Sequence, residues 1–254
     1  MPIRTSHLVT AFCLSSALSA SAHLSYPASR DFGTFTGASP QSVTITGQTT
    51  KIFGWADGTD PDFAKQDDQR YLKLSLSGAS LITISITSLD PVALLPAFSL
   101  YSGLGHAAKD PADLDYDGSN VTQAYLASLG APAREGAFDA LHTWKIGSDL
   151  GTSPADLVTF TYIGHAADGT PANYGNAPGI NGDGLADGTV TATFSLPAGD
   201  YTLVIGGANY FNQTDATAKG FNATITSIPE PCCGFFLSLG VLLTSRRRRG
   251  SSPE

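Results

Sequence analysis

The chain has 254 residues, with 14 Lys and Arg against 22 Asp and Glu, and three Cys. Nine of those basic residues and 21 of the acidic ones lie between residues 23 and 230, so this segment carries a net charge of −12. Such a negative surface repels phosphate backbones and argues against nucleic-acid binding. Because Cys13, Cys232 and Cys233 all lie near the ends, we expect no disulfide, thiolate nucleophile or cysteine-bound metal in the central segment.

Residues 1–22 have the three parts of a secretory signal peptide. Arg4 supplies a positive charge, and residues 7–18 are apolar apart from small hydroxyl residues. Small side chains at Ala20 and Ala22 then occupy the −3 and −1 positions of a cut after Ala22. The segment that follows, residues 23–228, is long enough for one domain with its own hydrophobic core.

The central segment alternates apolar and hydroxyl residues with a period of two, which is typical of half-buried strands. In residues 81–87, Ile82, Ile84 and Ile86 share one face and the hydroxyls share the other, so a slip of one residue would bury the hydroxyls. We therefore predict a mostly β chain that forms a single antiparallel, jelly-roll-like β-sandwich with a short helical insertion at 121–129 and 135–142. The predicted strands are 42–46, 71–76, 81–87, 157–163, 190–196, 201–205 and 221–225, with shorter candidates at 52–55 and 98–101.

Two stretches resemble a known kind of sandwich. Residues 71–101 and 196–204 are similar to the paired strands of bacterial pre-peptidase C-terminal (PPC-type) domains, over about a third of the central segment. Such modules accompany secreted enzymes and surface proteins without carrying catalysis, so the resemblance implies a non-catalytic domain.

One candidate cation site follows the predicted strand at 98–101. Asp113, Asp115 and Asp117 place carboxylates at every second position, and Gly118 permits a sharp turn, as in the first half of an EF-hand-type calcium loop. Its twelfth position is Ala124, where a bidentate Glu belongs, so calcium would need ligands from elsewhere. The alternative is a solvated acidic turn before a helix.

A second candidate is formed by Asn181, Asp183 and Asp187, whose spacing matches the middle of the same loop type. Gly179 occupies the position of a first carboxylate, so a glycine-rich hairpin is the alternative. Further carboxylates follow Trp55 without a fixed motif, at Asp57, Asp60, Asp62, Asp67 and Asp68. We treat those as a solvated loop that calcium could order.

Catalytic motifs are absent from the sequence. His106, His142 and His165 have no metal-ligand spacing, and there is neither an H-E-x-x-H nor a G-x-S-x-G motif. We therefore predict that the protein is not an enzyme. Sugar stacking is an alternative use for four aromatic residues, although most aromatics of a sandwich belong to its core: Trp55, Trp144, Tyr174 and Tyr210.

The C-terminal residues 229–254 combine three elements in a fixed order. Pro229, Glu230 and Pro231 precede an apolar segment at 232–245, which is followed by Arg246, Arg247, Arg248 and Arg249. Fourteen residues fall short of the ~20 that span a bilayer as a helix, while the arginines favour the cytoplasmic side. This order resembles the PEP-CTERM sorting signal, which implies transient membrane association and recognition by an exosortase, a membrane transpeptidase. Cys232 and Cys233 depart from the usual pattern of that signal and leave lipidation open.

These features together predict an exported structural or adhesive protein of the cell surface or the extracellular biofilm matrix, with calcium as its one candidate cofactor. Two alternatives remain open. A carbohydrate-binding module for exopolysaccharide would present exposed aromatics on one face, and a secreted glycan hydrolase or lyase would need a cleft with converging carboxylates or histidines.

Overall fold

The computed structural model describes residues 26–59, 64–65, 68–105, 137–146 and 158–229. Within these ranges the chain forms twelve strands, joined by loops and three short 3-10 helices at Ala28–Arg30, Ala56–Thr59 and Pro171–Tyr174. The strands are β1 (Asp31–Phe35), β2 (Gln41–Thr50), β3 (Ala64–Lys65), β4 (Arg70–Leu76), β5 (Ser80–Ser88), β6 (Pro96–Ser102), β7 (Ala137–Phe138), β8 (Trp144–Ile146), β9 (Val158–Ala167), β10 (Thr189–Leu196), β11 (Gly199–Gly207) and β12 (Lys219–Pro229).

The long strands form two sheets, as the sequence predicted. One has the order β1-β4-β11-β6-β9-β8 and the other the order β10-β5-β12-β2, while β3 and β7 form a separate small pair. All pairs are antiparallel except β1 with β4, which run parallel. The predicted mostly-β sandwich is therefore confirmed.

Alternation along β5 sets the register of the four-stranded sheet. Ile82, Ile84 and Ile86 are fully buried in the main core cluster, against residues of the six-stranded sheet. On the opposite face, hydroxyls of neighbouring strands bond to one another, as between Thr83 and Thr193 at 2.9 Å. Shifting β5 by one residue would exchange these two sets, so the register is fixed by burial.

The six-stranded sheet is covered on both faces. Along β11, Leu203 and Ile205 belong to the main core, whereas Val204 belongs to a second buried cluster on the other face. Strands supply most of the aromatic residues of this second cluster, whereas Trp55 precedes the second 3-10 helix and Tyr174 ends the third. The candidate site adjoins this cluster at Ala167 and Tyr174.

Two local predictions were wrong. Residues 52–55 are a buried loop and not a strand, because Gly54 turns the chain at a φ of 103° and leads into the 3-10 helix Ala56–Thr59. The described part of 135–142 is not helical. It contains β7 and then a turn in which the Asp139 carboxylate accepts hydrogen bonds from the backbone N–H groups of Leu141 and His142, both at 3.0 Å.

Several predictions fall outside the described residues. These are the signal peptide at 1–22, the helix at 121–129, and the sorting signal beyond Pro229, with Glu230, Pro231 and the four arginines. In the part of the chain that is described, no helix combines the length and apolarity that a membrane span requires.

Candidate metal centre

Three aspartates converge at one end of the six-stranded sheet. The ligand oxygens of Asp168, Asp183 and Asp187 all lie within 4.8 Å of one another. Asp168 directly follows β9 and is fully buried, whereas the other two are exposed on the loop that leads into β10. The group is thus half in the protein and half open to solvent.

Backbone hydrogen bonds fasten this loop to the end of β9. Ala167 donates to the carbonyl of Asn181 at 3.1 Å, and Asp183 donates back to the carbonyl of Ala167 at 3.0 Å. Gly182 forms an isolated parallel bridge with Ala167. The bridge brings Asp183 beside Asp168, although no local repeat in the sequence connects them.

Asp168 organises the turn that carries the third carboxylate. Its Oδ1 accepts the backbone N–H of Asp187 at 3.0 Å, and its Oδ2 accepts that of Gly188 at 2.7 Å. Gly188 has a φ of +82° and lies against Pro91, so a side chain there would be both strained and obstructed. These contacts place the Asp187 carboxylate next to Asp168.

The electrostatics of the group are unfavourable without a counter-charge. The pKa of Asp168 is raised to about 6, mainly by burial and also by the charges of Asp183 and Asp187, against the lowering effect of its two backbone hydrogen bonds. A cation placed among the three carboxylates would offset this repulsion and favour the ionised form of Asp168.

A buried hydroxyl lies beneath the same group. Tyr174 is fully buried, and its Oη has no hydrogen-bond partner among the described residues. A Cβ added to Gly182 would lie 2.6 Å from this oxygen, and one added to Gly169 would lie 3.3 Å from it. Burial, and then the charges of Asp183 and Asp168, raise the pKa of the phenol. The hydroxyl is therefore a neutral donor, close enough to Asp183 and Asp168 for their charges to act on it.

The donor set suits a hard divalent cation. Calcium takes six to eight oxygen ligands at ~2.3–2.6 Å, and it prefers carboxylates, carbonyls and waters. Three carboxylates would provide the charge, water would complete the shell on the exposed side, and Tyr174 would donate to a ligating oxygen. The group contains no imidazole or thiolate, the ligands that favour zinc or copper.

The sequence predicted part of this arrangement. Asp183 and Asp187 converge as carboxylates. Asn181 contributes through its backbone, since its carbonyl accepts from Ala167 of β9 and its N–H donates to the ring of His165. Asp168 was missed, because it meets this loop through a tertiary contact that leaves no pattern in the sequence. The candidate at Asp113, Asp115 and Asp117 lies outside the described residues.

The acidic loop after Trp55 is only partly described. Asp68 forms an ion pair with Lys51, and Asp57 lies in the 3-10 helix Ala56–Thr59. Asp60, Asp62 and Asp67 lie outside the described residues. Among the described residues of this loop, the carboxylates do not form a convergent group of three.

The two described histidines serve separate hydrogen-bond networks. His165 is buried, with Nε2 accepting from the backbone N–H of Asn181 at 2.7 Å and Nδ1 bonded to the Tyr162 hydroxyl. Burial lowers the pKa of His165 to about 4, so this ring is neutral at pH 7. His142 is exposed and lies 3.2 Å from the Asp139 carboxylate. His106 is outside the described residues.

No known protein family matches the sequence, and no curated protein matches it. Among solved structures, the chain is similar to CorA of Methylomicrobium album BG8, a surface-associated copper-binding protein, with 16% identity, a TM-score of 0.48 and coverage of 77% of this chain and 96% of that one. It is also similar to the mercury-soaked secreted protein MopE of Methylococcus capsulatus, in which an oxidized tryptophan facilitates copper binding. That similarity has 18% identity, a TM-score of 0.45 and coverage of 80% and 87%.

A third similar structure is PliG of Aeromonas hydrophila, a periplasmic inhibitor of g-type lysozyme, with 12% identity, a TM-score of 0.28 and coverage of 78% and 98%. Similarity at these levels does not indicate what the present chain binds.

Proposed function

We propose that this protein is an exported structural or adhesive component of the cell surface or extracellular matrix, whose β-sandwich is stabilised by Ca²⁺ at Asp168, Asp183 and Asp187. The observation that carries the cation site is the convergence of these carboxylates above the unpartnered hydroxyl of Tyr174. A dication there would offset most of the negative charge of the group and fix the loop that begins at Ala177 against β9.

Export is supported by the two ends of the sequence. The signal-peptide pattern at 1–22 directs secretion, and the PEP-CTERM-like segment at 229–254 would present the chain to an exosortase-type transpeptidase. The proposed processing motif begins at Pro229, the last residue of β12, where it pairs with Ser80. A cut just beyond it would therefore spare the sheet.

A non-catalytic role is part of the proposal. His165, the buried histidine, has a partner at each ring nitrogen, so it is unsuited to exchange a proton with a substrate. Three carboxylates converge, and backbone N–H groups hold Asp168 in place among them. This arrangement is better suited to holding a cation than to acid–base cleavage of a glycosidic bond.

Two measurements test the proposal. Equilibrium dialysis should show that Asp187→Asn binds one calcium ion fewer per chain than the wild type, and an equal number of ions in both proteins would contradict the site. For export, the precursor should be expressed in a host with exosortase machinery and the product weighed. Recovery of surface protein that retains Arg246–Arg249 would contradict the processing step.

A further inference from the structure

A cleft of about 450 Å³ opens beside the three aspartates. Asp187 belongs to both features, since it contributes to the carboxylate group and also lines the cleft. Asn173 and Asn209 add amide side chains to the wall, and Val92, which is 95% exposed, adds an apolar edge. The volume lies within the range of sites that bind small ligands.

The two amides are held in place by the protein. The Oδ1 of Asn173 accepts the backbone N–H of Thr170 at 2.8 Å, and the Oδ1 of Asn209 accepts that of Asn212 at 3.2 Å. With each amide oxygen engaged in this way, the NH₂ group is the end available to donate to a ligand oxygen. The cleft therefore offers oriented donors next to a cation position with open coordination.

Charge decides which ligand class fits. Three carboxylates and one Ca²⁺ leave a net charge of about −1, so the occupied site would still repel an anion. None of the described residues that line the cleft is a lysine or arginine. A neutral ligand rich in hydroxyls is favoured, because its oxygens can replace water on the cation and accept from the amides.

Apolar side chains in the wall of the cleft fit the same class. Pro91, Val92 and Leu95 all line it. Sugars present C–H faces as well as hydroxyls, and such faces pack on exposed apolar and aromatic groups. By contrast, Trp55 and Trp144 are buried, so they cannot form a stacking platform.

We infer that this cleft binds a neutral saccharide, two adjacent hydroxyls of which complete the oxygen shell of a cation held by Asp168, Asp183 and Asp187. Asn173 and Asn209 donate to further hydroxyls, and Val92 contacts the C–H face of the sugar. This inference rests on the proposed calcium site and gives it a binding role in addition to a stabilising one.

The test is calorimetric titration of the full protein with a panel of neutral oligosaccharides of glucose, mannose, galactose and xylose, in saturating calcium and in chelator. Trigalacturonate serves as the anionic comparison. We expect a neutral oligosaccharide to bind in saturating calcium and not in chelator. Val92→Gln, which adds no charge beside the cation, should weaken that binding at least about tenfold, the equivalent of one lost contact of ~1.4 kcal/mol, while leaving calcium stabilisation unchanged. Leu81→Gln, at an exposed position on the four-stranded sheet, should leave both unchanged.

The outcomes separate the two proposals. If calcium stabilises the protein but no neutral oligosaccharide binds, or if binding is equal in chelator, the saccharide site is wrong and the cation site stands. Preferential binding of trigalacturonate would also overturn the neutral-ligand assignment. If calcium neither binds to nor stabilises the wild type, the cation site fails, and the saccharide site fails with it.

Discussion

Replacing Asp168 with Asn should abolish a calcium-induced rise in melting temperature. Asp168 is fully buried, accepts two backbone hydrogen bonds and lies beside two other carboxylates. Extracellular calcium modules bind with a Kd of ~10⁻⁴–10⁻³ M. At about 100 times Kd, an ion that binds only the folded state stabilises it by ~2.7 kcal/mol. For a domain of this size, that corresponds to a rise in Tm of about 5–11 °C.

The variant should remain folded without calcium. Losing one hydrogen bond to a charged group costs ~1.5–3 kcal/mol. Against this, removing the buried charge at Asp168, whose pKa is raised to about 6, recovers at most about 3 kcal/mol at neutral pH. These contributions nearly cancel, so Asp168→Asn in chelator should unfold within ~1–2 kcal/mol of the wild type.

The assay is thermal unfolding followed by circular dichroism at pH 7, in saturating calcium and in chelator. Asp215→Asn is the matched control, since Asp215 lies in the loop before β12 and bonds to the backbone of Thr217 at 2.9 Å, outside the aspartate group. It should keep the full calcium response. An equal rise in Tm for Asp168→Asn and the wild type, or none in the wild type, would refute the reasoning.

Three further predictions concern the fold, two of them near the site. Burial lowers the pKa of His165 to about 4, below the unfolded value of ~6.5, so its contribution to stability is complete above pH 6.5 and is lost as pH falls toward 4. Chemical denaturation at pH values from 7 to 4 should therefore show that the wild type loses up to about 3 kcal/mol more stability than His165→Gln. Parallel pH profiles of the two proteins would contradict this. Gly182→Ala should lower both stability and calcium affinity, because the new Cβ would lie 2.6 Å from the Tyr174 hydroxyl. The control Gly37→Ala, whose Cβ would have contacts no closer than 3.5 Å, should change neither. Equal Tm values in the two variants would count against the close packing at Gly182. Ile84→Ala removes a fully buried side chain and should lower the free energy of unfolding, measured by denaturant titration, by ~2–5 kcal/mol. Leu81 lies on the same strand but is 40% exposed, so Leu81→Ala should lower it by much less. Similar losses in the two variants would contradict the assigned register.

Most of the sandwich was predictable because its long strands carry a local pattern. The alternation in 81–87 reports which face is buried, and β5 has that register. The strands that were missed are short or irregular. β3, β7 and β8 span only two or three residues, too few for a period to show, and the five residues of β1 contain a register shift and do not alternate. Residues 52–55 were mistaken for a strand because a buried loop has the same apolar composition as a strand.

The candidate site was predictable only where its residues are neighbours in sequence. Asp183 and Asp187 share a loop, so their spacing indicates shared use of a ligand. Asp168 joins them through the bridge between Ala167 and Gly182, a tertiary contact with no local signature. The role of Tyr174 could not be predicted either, since the sequence shows an aromatic residue but not that its hydroxyl is buried without a hydrogen-bond partner near the carboxylates.

The most direct test of the calcium site is to locate the ion. Crystals of the protein grown with calcium should show an anomalous difference peak among Asp168, Asp183 and Asp187, with carboxylate oxygens at ~2.3–2.6 Å from it. Absence of a peak at saturating calcium, with Asp168 bonded only to the backbone of Asp187 and Gly188, would contradict a metal centre here.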